Sequence, residues 1–240
     1  MLSKKEVKDI QSLSHKKFRD AAGLFLAEGP KIVAELAARF PGQVEKIYAT
    51  TDWPREAAGQ AASKLVHVTA EELERISQLH TPNQVLALVR KFDPQPPPPQ
   101  GFFLYLDGIQ DPGNFGTIIR IADWFGISHI IGGPGCADLY NPKVVQATMA
   151  SIARVSVFED DGHWLSKQSL PIYAASLEGR SLYGVERTAA GILVIGNESK
   201  GISKPVLDLA TERITIPGRG EAESLNAAVA AGIILSHLLS

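Results

Sequence analysis

Cysteine and long apolar runs are both scarce in this chain of 240 residues. The single cysteine, Cys136, cannot form an intramolecular disulfide, and such sparing use is typical of proteins in a reducing compartment. No apolar run approaches the ~20 residues that span a bilayer. The first residues also lack the apolar core of a signal peptide. Together these absences predict a cytoplasmic protein that does not insert into a membrane.

A large excess of charge is missing as well, because the formal net charge is -2. Any contact with nucleic acid must therefore come from a local patch. Residues 1–20 offer one, with six basic side chains against three acidic ones. The basic ones are Lys4, Lys5, Lys8, Lys16, Lys17 and Arg19. This composition fits either a solvated helical face or a surface for RNA.

The residue patterns of metal sites and of several common enzyme classes are absent. The histidines show no ligand spacing and one cysteine cannot build a thiolate site, so we expect no metal. The G-x-S-x-G pattern of hydrolases does not occur. Residues 196–201, GNESKG, are not a P-loop, and residues 132–135 lack the third glycine of a dinucleotide fingerprint. The last absence argues against a nicotinamide-dependent oxidoreductase.

A proline-rich segment at 93–100 is the clearest boundary in the chain. Consecutive prolines favour an extended, semi-rigid conformation. We interpret it as a linker between a domain at 1–92 and a larger one at 101–240. The alternative is a proline-rich loop within one domain.

The first part has the pattern of a small α/β domain. Proline at the first turn and apolar residues at helical spacing predict a helix at 30–39. Thr69 and Glu72 form the pattern of a capping box that opens a second helix. Segments with β-branched residues predict strands at 46–50, 65–68 and 84–89.

The second part alternates apolar strands with helical segments, which predicts a mostly parallel sheet. The expected strands are 102–106, 129–131, 171–174 and 192–195. Ligands of such sheets bind at the carboxyl ends of the strands. Residues 107–116 and 196–201 each follow a strand directly, so we expect both at the same edge.

Two further segments flank this edge. Asn114 is suited to cap a helix that runs to about Phe125, with Arg120 opposite its apolar face. Residues 214–226 predict a strand, a glycine-rich loop and a helix start. The residues that follow, 227–235, are apolar all round, which predicts a helix buried on all sides, either in a domain core or in a subunit interface.

Three of these segments together resemble the SpoU/TrmH family of RNA ribose methyltransferases, of the SPOUT superfamily. They are NFGTIIR at 114–120, GNESKG at 196–201, and Ile216-Pro217 followed by ESLN at 223–226. The resemblance extends from about Gly101 to Leu239. It implies a trefoil-knotted α/β domain that binds S-adenosylmethionine and works as a homodimer.

The resemblance extends to the first part of the chain. Residues 10–36, especially 16–20 and 25–29, look like the substrate-binding domain often fused to these enzymes. That domain is similar to a small RNA-binding ribosomal protein. It implies RNA contacts by Lys16, Lys17 and Arg19. Phe18 fits either the core or a base-stacking platform.

Residue roles follow from the same resemblance. The implied cofactor contacts are Gly196, Asn197, Ile216, Pro217 and Leu225. The implied active-site residues are Asn114, Arg120, Glu198, Ser224 and Asn226. Arg120 would act as a base or as an electrostatic stabiliser, and the very high pKa of a guanidinium group favours stabilisation. Gln146 and Ala150 stand where the family commonly has arginine and glycine.

The activity implied is methyl transfer from S-adenosylmethionine to a ribose 2′-hydroxyl of RNA. Large-subunit ribosomal RNA is the expected substrate because of the fused first domain. Transfer RNA is one alternative. A non-catalytic RNA-binding or assembly factor on the same fold is another.

Overall fold

The computed structural model of the chain describes residues 1–239, which divide into two compact units. The first unit is Met1–Asp93 with Asp138–Ala153, and the second is Pro94–Ala137 with the chain from Arg154 onward. Segment 138–153 thus packs with the first unit, although the sequence-based division placed it in 101–240. As independently folding domains, 1–92 and 101–240 with a linker at 93–100 stay a prediction.

The regular elements are named in chain order. The helices are α1 Lys4–Ser12, α2 Lys16–Ala22, α3 Pro30–Arg39, α4 Ala70–Ile76, α5 Pro112–Trp124, α6 Pro142–Thr148, α7 Lys204–Leu207 and α8 Ala227–Leu238. The strands are β1 Leu24–Glu28, β2 Val44–Ala49, β3 Leu65–His67, β4 Val85–Arg90, β5 Phe102–Asp107, β6 His129–Gly132, β7 Ser156–Glu159, β8 Ile172–Ser181, β9 Gly191–Gly196 and β10 Glu212–Thr215. The α/β class predicted for both parts of the chain is confirmed.

The first unit is a four-stranded mixed sheet in the order β1-β4-β2-β3. Residues of α1 and α4 contribute to one apolar cluster on this sheet, and residues of α3 and segment 138–153 contribute to another. The predicted capping box is present, with Thr69 and Glu72 bonded reciprocally. Strand β1 was not predicted, because its five residues do not alternate between apolar and polar.

Segment 138–153 contains an unusual turn after α6. Met149 and Ala150 have φ values of 49° and 73°, in the left-handed region that side chains other than glycine disfavour. Ala150 is also fully buried. The glycine common in the family at this position would adopt that conformation without strain.

The second unit is a six-stranded sheet in the order β10-β8-β9-β5-β6-β7. Each neighbouring pair is parallel, which confirms the predicted sheet. Helix α8 packs against α5 and β9. Within the single chain it is not buried on all sides, because Val229 is 50% exposed and Ile233 36%, so its burial in a subunit interface stays a prediction. The knot implied by the family resemblance stays a prediction.

Candidate active site

The carboxyl ends of β5 and β9 lie side by side in the second unit. These strands are parallel, and their last residues, Asp107 and Gly196, are paired. The loops that follow therefore leave the same edge of the sheet, as the sequence predicts. This edge is where open α/β sheets bind their ligands.

Asn197 fixes the loop that follows β9. Its backbone exchanges hydrogen bonds with Gly201 at 3.0 and 2.9 Å. Its side-chain amide donates to the Gly108 carbonyl at 2.7 Å. Its side-chain oxygen accepts from the amides of Ser199 and Lys200, each at 3.0 Å. The residue predicted to contact the cofactor is therefore also what shapes the loop.

Both ends of this loop are tightly constrained. The buried Asp107 accepts a hydrogen bond from the Ser203 amide at 2.5 Å. At the other end, a Cβ on Gly196 would lie 2.4 Å from backbone atoms of Gly201 and Ile202. Only glycine fits there, because backbone atoms cannot move aside as a flexible side chain can.

Helix α5 begins beside this loop and is capped by Asp111. The Asp111 carboxylate accepts from the Asn114 amide at 2.7 Å, and Pro112 occupies the first turn. The prediction that Asn114 caps the helix was wrong, because Asp111 supplies the acceptor three residues earlier. The Asn114 side chain donates instead to Glu198 Oε1 at 2.8 Å.

A directed chain of hydrogen bonds joins all three sequence segments. Asn226 caps α8, and its side-chain oxygen accepts from the amides of Ala228 and Val229. Its Nδ2 must therefore point away, and it donates to Asn114 Oδ1 at 2.7 Å. Asn114 Nδ2 is thereby oriented towards Glu198. The geometry fixes both amide orientations and brings together three of the five predicted active-site residues.

Arg120 and Ser224 do not join this chain of hydrogen bonds. Both side chains are exposed. Within residues 1–239, neither side chain makes a hydrogen bond or an ion pair. Arg120 lies on α5 opposite the buried Ile118 and Ala122, as the helical periodicity predicts.

The loop at 217–225 is held very differently from the loop after β9. Within the described chain, no hydrogen bond ties these nine residues down. All are exposed, including Pro217, and Leu225 is 49% exposed. Ile216 is half-buried just beyond β10. Uncommitted backbone groups and exposed apolar side chains suit the polar edge and the flat faces of an adenine ring.

Cys136 lies near this edge, and sequence analysis gave it no role there. Its thiol donates to the Leu106 carbonyl at 3.2 Å. Burial raises its pKa, and the negative charges of Asp107 and Glu198 act in the same direction. The thiol is therefore held protonated and serves as a packed hydrogen-bond donor.

The residues predicted to contact RNA lie in the first unit and differ from one another. Lys16 and Lys17 are exposed, although Lys16 pairs with Asp20 at 3.3 Å. Arg19 is only 2% exposed. Its guanidinium donates to two backbone carbonyls and pairs with Asp138. Arg19 is therefore unable to reach RNA, and its prediction is corrected to a structural role.

Phe18 is 46% exposed, which excludes the core among its two interpretations. Within residues 1–239, no group of three or more potential metal-ligating side chains is arranged to hold an ion. None of the helices described is long and apolar enough to cross a bilayer.

Comparisons with known proteins place these features in a family. The SpoU rRNA methylase family model matches residues 101–236, and the MRM3-like substrate binding domain matches residues 4–87. A Bacillus subtilis 23S rRNA (guanosine(2553)-2′-O)-methyltransferase is 29% identical, covering 97% of this chain and 95% of its own.

Solved structures similar to this chain also include RNA methyltransferases. A TrmH-family protein from Porphyromonas gingivalis is 38% identical with a TM-score of 0.87, covering 99% of this chain and 98% of that one. An AdoMet-bound rRNA methyltransferase from Sinorhizobium meliloti is 28% identical with a TM-score of 0.85, over 99% and 96%. The family model covers more than half of the chain and includes the three segments that meet around Asn114. The chain therefore belongs to the SpoU rRNA methylase family.

Proposed function

We propose that this protein transfers a methyl group from S-adenosylmethionine to a ribose 2′-hydroxyl of large-subunit ribosomal RNA. The observation that carries the proposal is the hydrogen-bonded chain Glu198–Asn114–Asn226, which unites three distant segments at a ligand-binding edge. The names of the similar proteins support the substrate class and the cofactor. A cytoplasmic location is part of the same proposal.

The residues that would hold the cofactor are Gly196, Asn197, Ile216, Pro217 and Leu225. When bound, S-adenosylmethionine supplies a methyl group activated by a cationic sulphur. The fixed loop at Asn197 would form one wall of its pocket. The unbonded loop at 217–225 would form the other wall and close over the ligand.

The chain's own side chains would then act on the RNA. The 2′-hydroxyl would lose its proton to solvent water as its oxygen takes up the methyl group, and a cation close by lowers the cost of the negative charge on that oxygen. Arg120 is suited to that role and to holding the adjacent phosphate, because guanidinium keeps its charge. Ser224 and Asn226 would position the hydroxyl. Asn226 would also orient Asn114, and Glu198 would hold the Asn114 side chain in that orientation.

Arg120 would reach this site from a second copy of the chain. It directly precedes Ile121, which lines an open groove of about 520 Å³ between α5 and α8. Thr117, Ile121, Val229 and Ile233 are among the groove's lining residues. A partly exposed apolar helix face of this kind is typical of a subunit interface. A symmetric homodimer through the second unit would cover it and bring Arg120 to the partner's Glu198.

The RNA would also contact the first unit. Lys17, which is exposed, and Lys16 offer positive charge to phosphates. Phe18, which follows Lys17 on α2 and is 46% exposed, offers an aromatic face near this charge.

The direct test is transfer of labelled methyl from S-adenosylmethionine to unmodified RNA, followed by mapping of the modified ribose. We expect one labelled position in 23S rRNA. Arg120→Ala should lower turnover about 100-fold or more, as for loss of one preorganised charge donor. Arg120→Lys should also be impaired, since lysine lacks the planar fork. Cofactor and RNA binding without any transfer would refute the proposal in favour of a non-catalytic factor, and label on tRNA would reassign the substrate.

Mixing two inactive variants tests the shared site. If Arg120 acts on the partner's Glu198, a heterodimer of Arg120→Ala and Glu198→Ala has one intact site. Random mixing should then restore about a quarter of native activity. If each site is built within one chain, mixing restores nothing.

A further inference from the structure

Apart from the terminal Met1, Trp124 is the most exposed large apolar side chain in residues 1–239, at 84%. Tryptophan side chains are usually well buried, because their large apolar surface is costly to leave in water. The other two tryptophans follow that rule, since Trp53 is 2% exposed and Trp164 is half-buried. The packing of the second unit therefore does not explain why the Trp124 ring is exposed to solvent.

The position of Trp124 on α5 links it to Arg120. The two residues are four apart, so their side chains are neighbours on one helix face, with Cβ atoms about 5–6 Å apart. No cation–π contact joins Arg120 to the ring within residues 1–239. Both groups are therefore available to a ligand, and a single RNA strand can contact both.

The backbone beneath Trp124 is rigid. Arg154 donates two hydrogen bonds to Oδ2 of the preceding residue, Asp123. They come from Nε at 2.8 Å and from Nη2 at 2.6 Å. After it, the Phe125 amide bonds to the Ile121 carbonyl and the Ile127 amide to that of Ala122. A ring on a fixed support loses little conformational freedom when a ligand stacks on it.

We propose that Trp124 is a stacking platform for the RNA base next to the methylated ribose, a role that rests on the proposed function. Aromatic rings beside arginine are the usual contacts for unpaired bases, because every base has a flat π-face. A second copy of the chain is the other candidate occupant. It is less well matched, because the apolar groove lining ends at Ile121 on α5 and Trp124 lies a turn beyond, next to a free cation.

The test compares Trp124→Ala with Trp124→Tyr, which keeps an aromatic face. Leu177→Ala, at a side chain 72% exposed, is the matched control. With unmodified 23S rRNA we expect Trp124→Ala to raise KM about 5- to 100-fold, as for loss of one stacked base. The kcat at saturating RNA, the S-adenosylmethionine affinity and the oligomeric state should stay near native. The tyrosine variant should recover most of the loss, and the control should match the native protein.

An abasic substitution identifies the base. In a short RNA around the mapped ribose, removing the base that stacks should weaken the native protein and leave Trp124→Ala unaffected. Additive losses at every flanking position would overturn the proposal. So would dissociation of the dimer by Trp124→Ala in proportion to the rise in KM, which would assign the ring to the second copy.

A measurement without turnover separates this proposal from the proposed function. In protein labelled with 5-fluorotryptophan, the ¹⁹F signal that Trp124→Tyr removes should shift when a short single-stranded RNA is added. The signals of Trp53 and Trp164 should not. If RNA binds and the Trp124 signal stays unchanged, the stacking proposal fails. If it shifts while the native protein transfers no methyl group, the proposed function fails and the stacking contact stands.

Discussion

The loop at 197–203 is held by hydrogen bonds at its start, middle and end, whereas the loop at 217–225 has none among the described residues. Both lead to the same cluster around Asn114. The first presents Glu198 in one orientation before any ligand arrives. Under the proposed function the second is ordered by its ligand, and fixing each residue's backbone costs about 1–2 kcal/mol. The contrast assigns preorganisation to one wall of the site and adaptability to the other.

Gly196, which precedes the fixed loop, and Gly201, which lies within it, provide the sharpest test of this loop. Gly196→Ala places a Cβ 2.4 Å from backbone atoms, so we expect loss of about 3 kcal/mol of stability or more and no detectable methyl transfer. Gly201→Ala meets no atom within 4 Å and suffers only from its φ of 68°. It should cost about 1–2 kcal/mol and keep most activity. Urea unfolding and methyl-transfer assays give both values, and equal losses in the two variants would contradict the packing argument.

Asn226 is where the free loop meets the fixed cluster, and two substitutions separate its two roles. Asn226→Ala removes the cap of α8 and should cost about 1 kcal/mol. Asn226→Asp keeps the capping oxygen, so its stability should be near native. It has no amide to donate to Asn114, and turning Asn114 over would set its oxygen against Glu198.

Both Asn226 variants should therefore lose activity about 100-fold, as expected for misplaced reacting groups. Thermal unfolding and kcat/KM on 23S rRNA measure the two roles separately. An aspartate variant with native turnover would show that the hydrogen-bonded chain is not needed for the reaction.

Much of this architecture could be predicted from the sequence. The strands at 102–106 and 192–195 are apolar and bounded by polar or glycine residues, so both their existence and their shared edge followed from general rules. The capping box at Thr69 likewise needs only local chemistry. Interactions within a few residues, and apolar runs long enough to be buried, are what a sequence displays directly.

The errors lie where distant residues decide the outcome. Arg19 and Lys17 look alike in the sequence, but only Arg19 meets Asp138, which lies 119 positions away. Trp124 drew no attention because nothing local distinguishes an exposed tryptophan from a buried one. The sequence also does not show which face of α8 stays exposed, because its composition is apolar throughout and only the fold decides which side is covered.

Trypsin cleavage is the most direct probe of the two loops, and its expected effect is the smallest. Each contains one trypsin site followed by glycine, Lys200 in the fixed loop and Arg219 in the free one. Proteases cut segments that open locally, and the Lys200 amide is bonded to Asn197. We expect cleavage after Arg219 to precede cleavage after Lys200, as identified by mass spectrometry.

Adding a ligand then tests whether the 217–225 loop closes over the cofactor or is merely exposed to trypsin. S-adenosylhomocysteine at ten times its Kd should slow cleavage after Arg219 about tenfold if the closed loop resists trypsin. Cleavage after Lys200 should change little, because that loop is already fixed. Arg219→Gln identifies the fragment by removing it. If the ligand binds and Arg219 stays equally sensitive, the 217–225 loop does not close over the cofactor, and the pocket's second wall must come from elsewhere in the chain or from the partner.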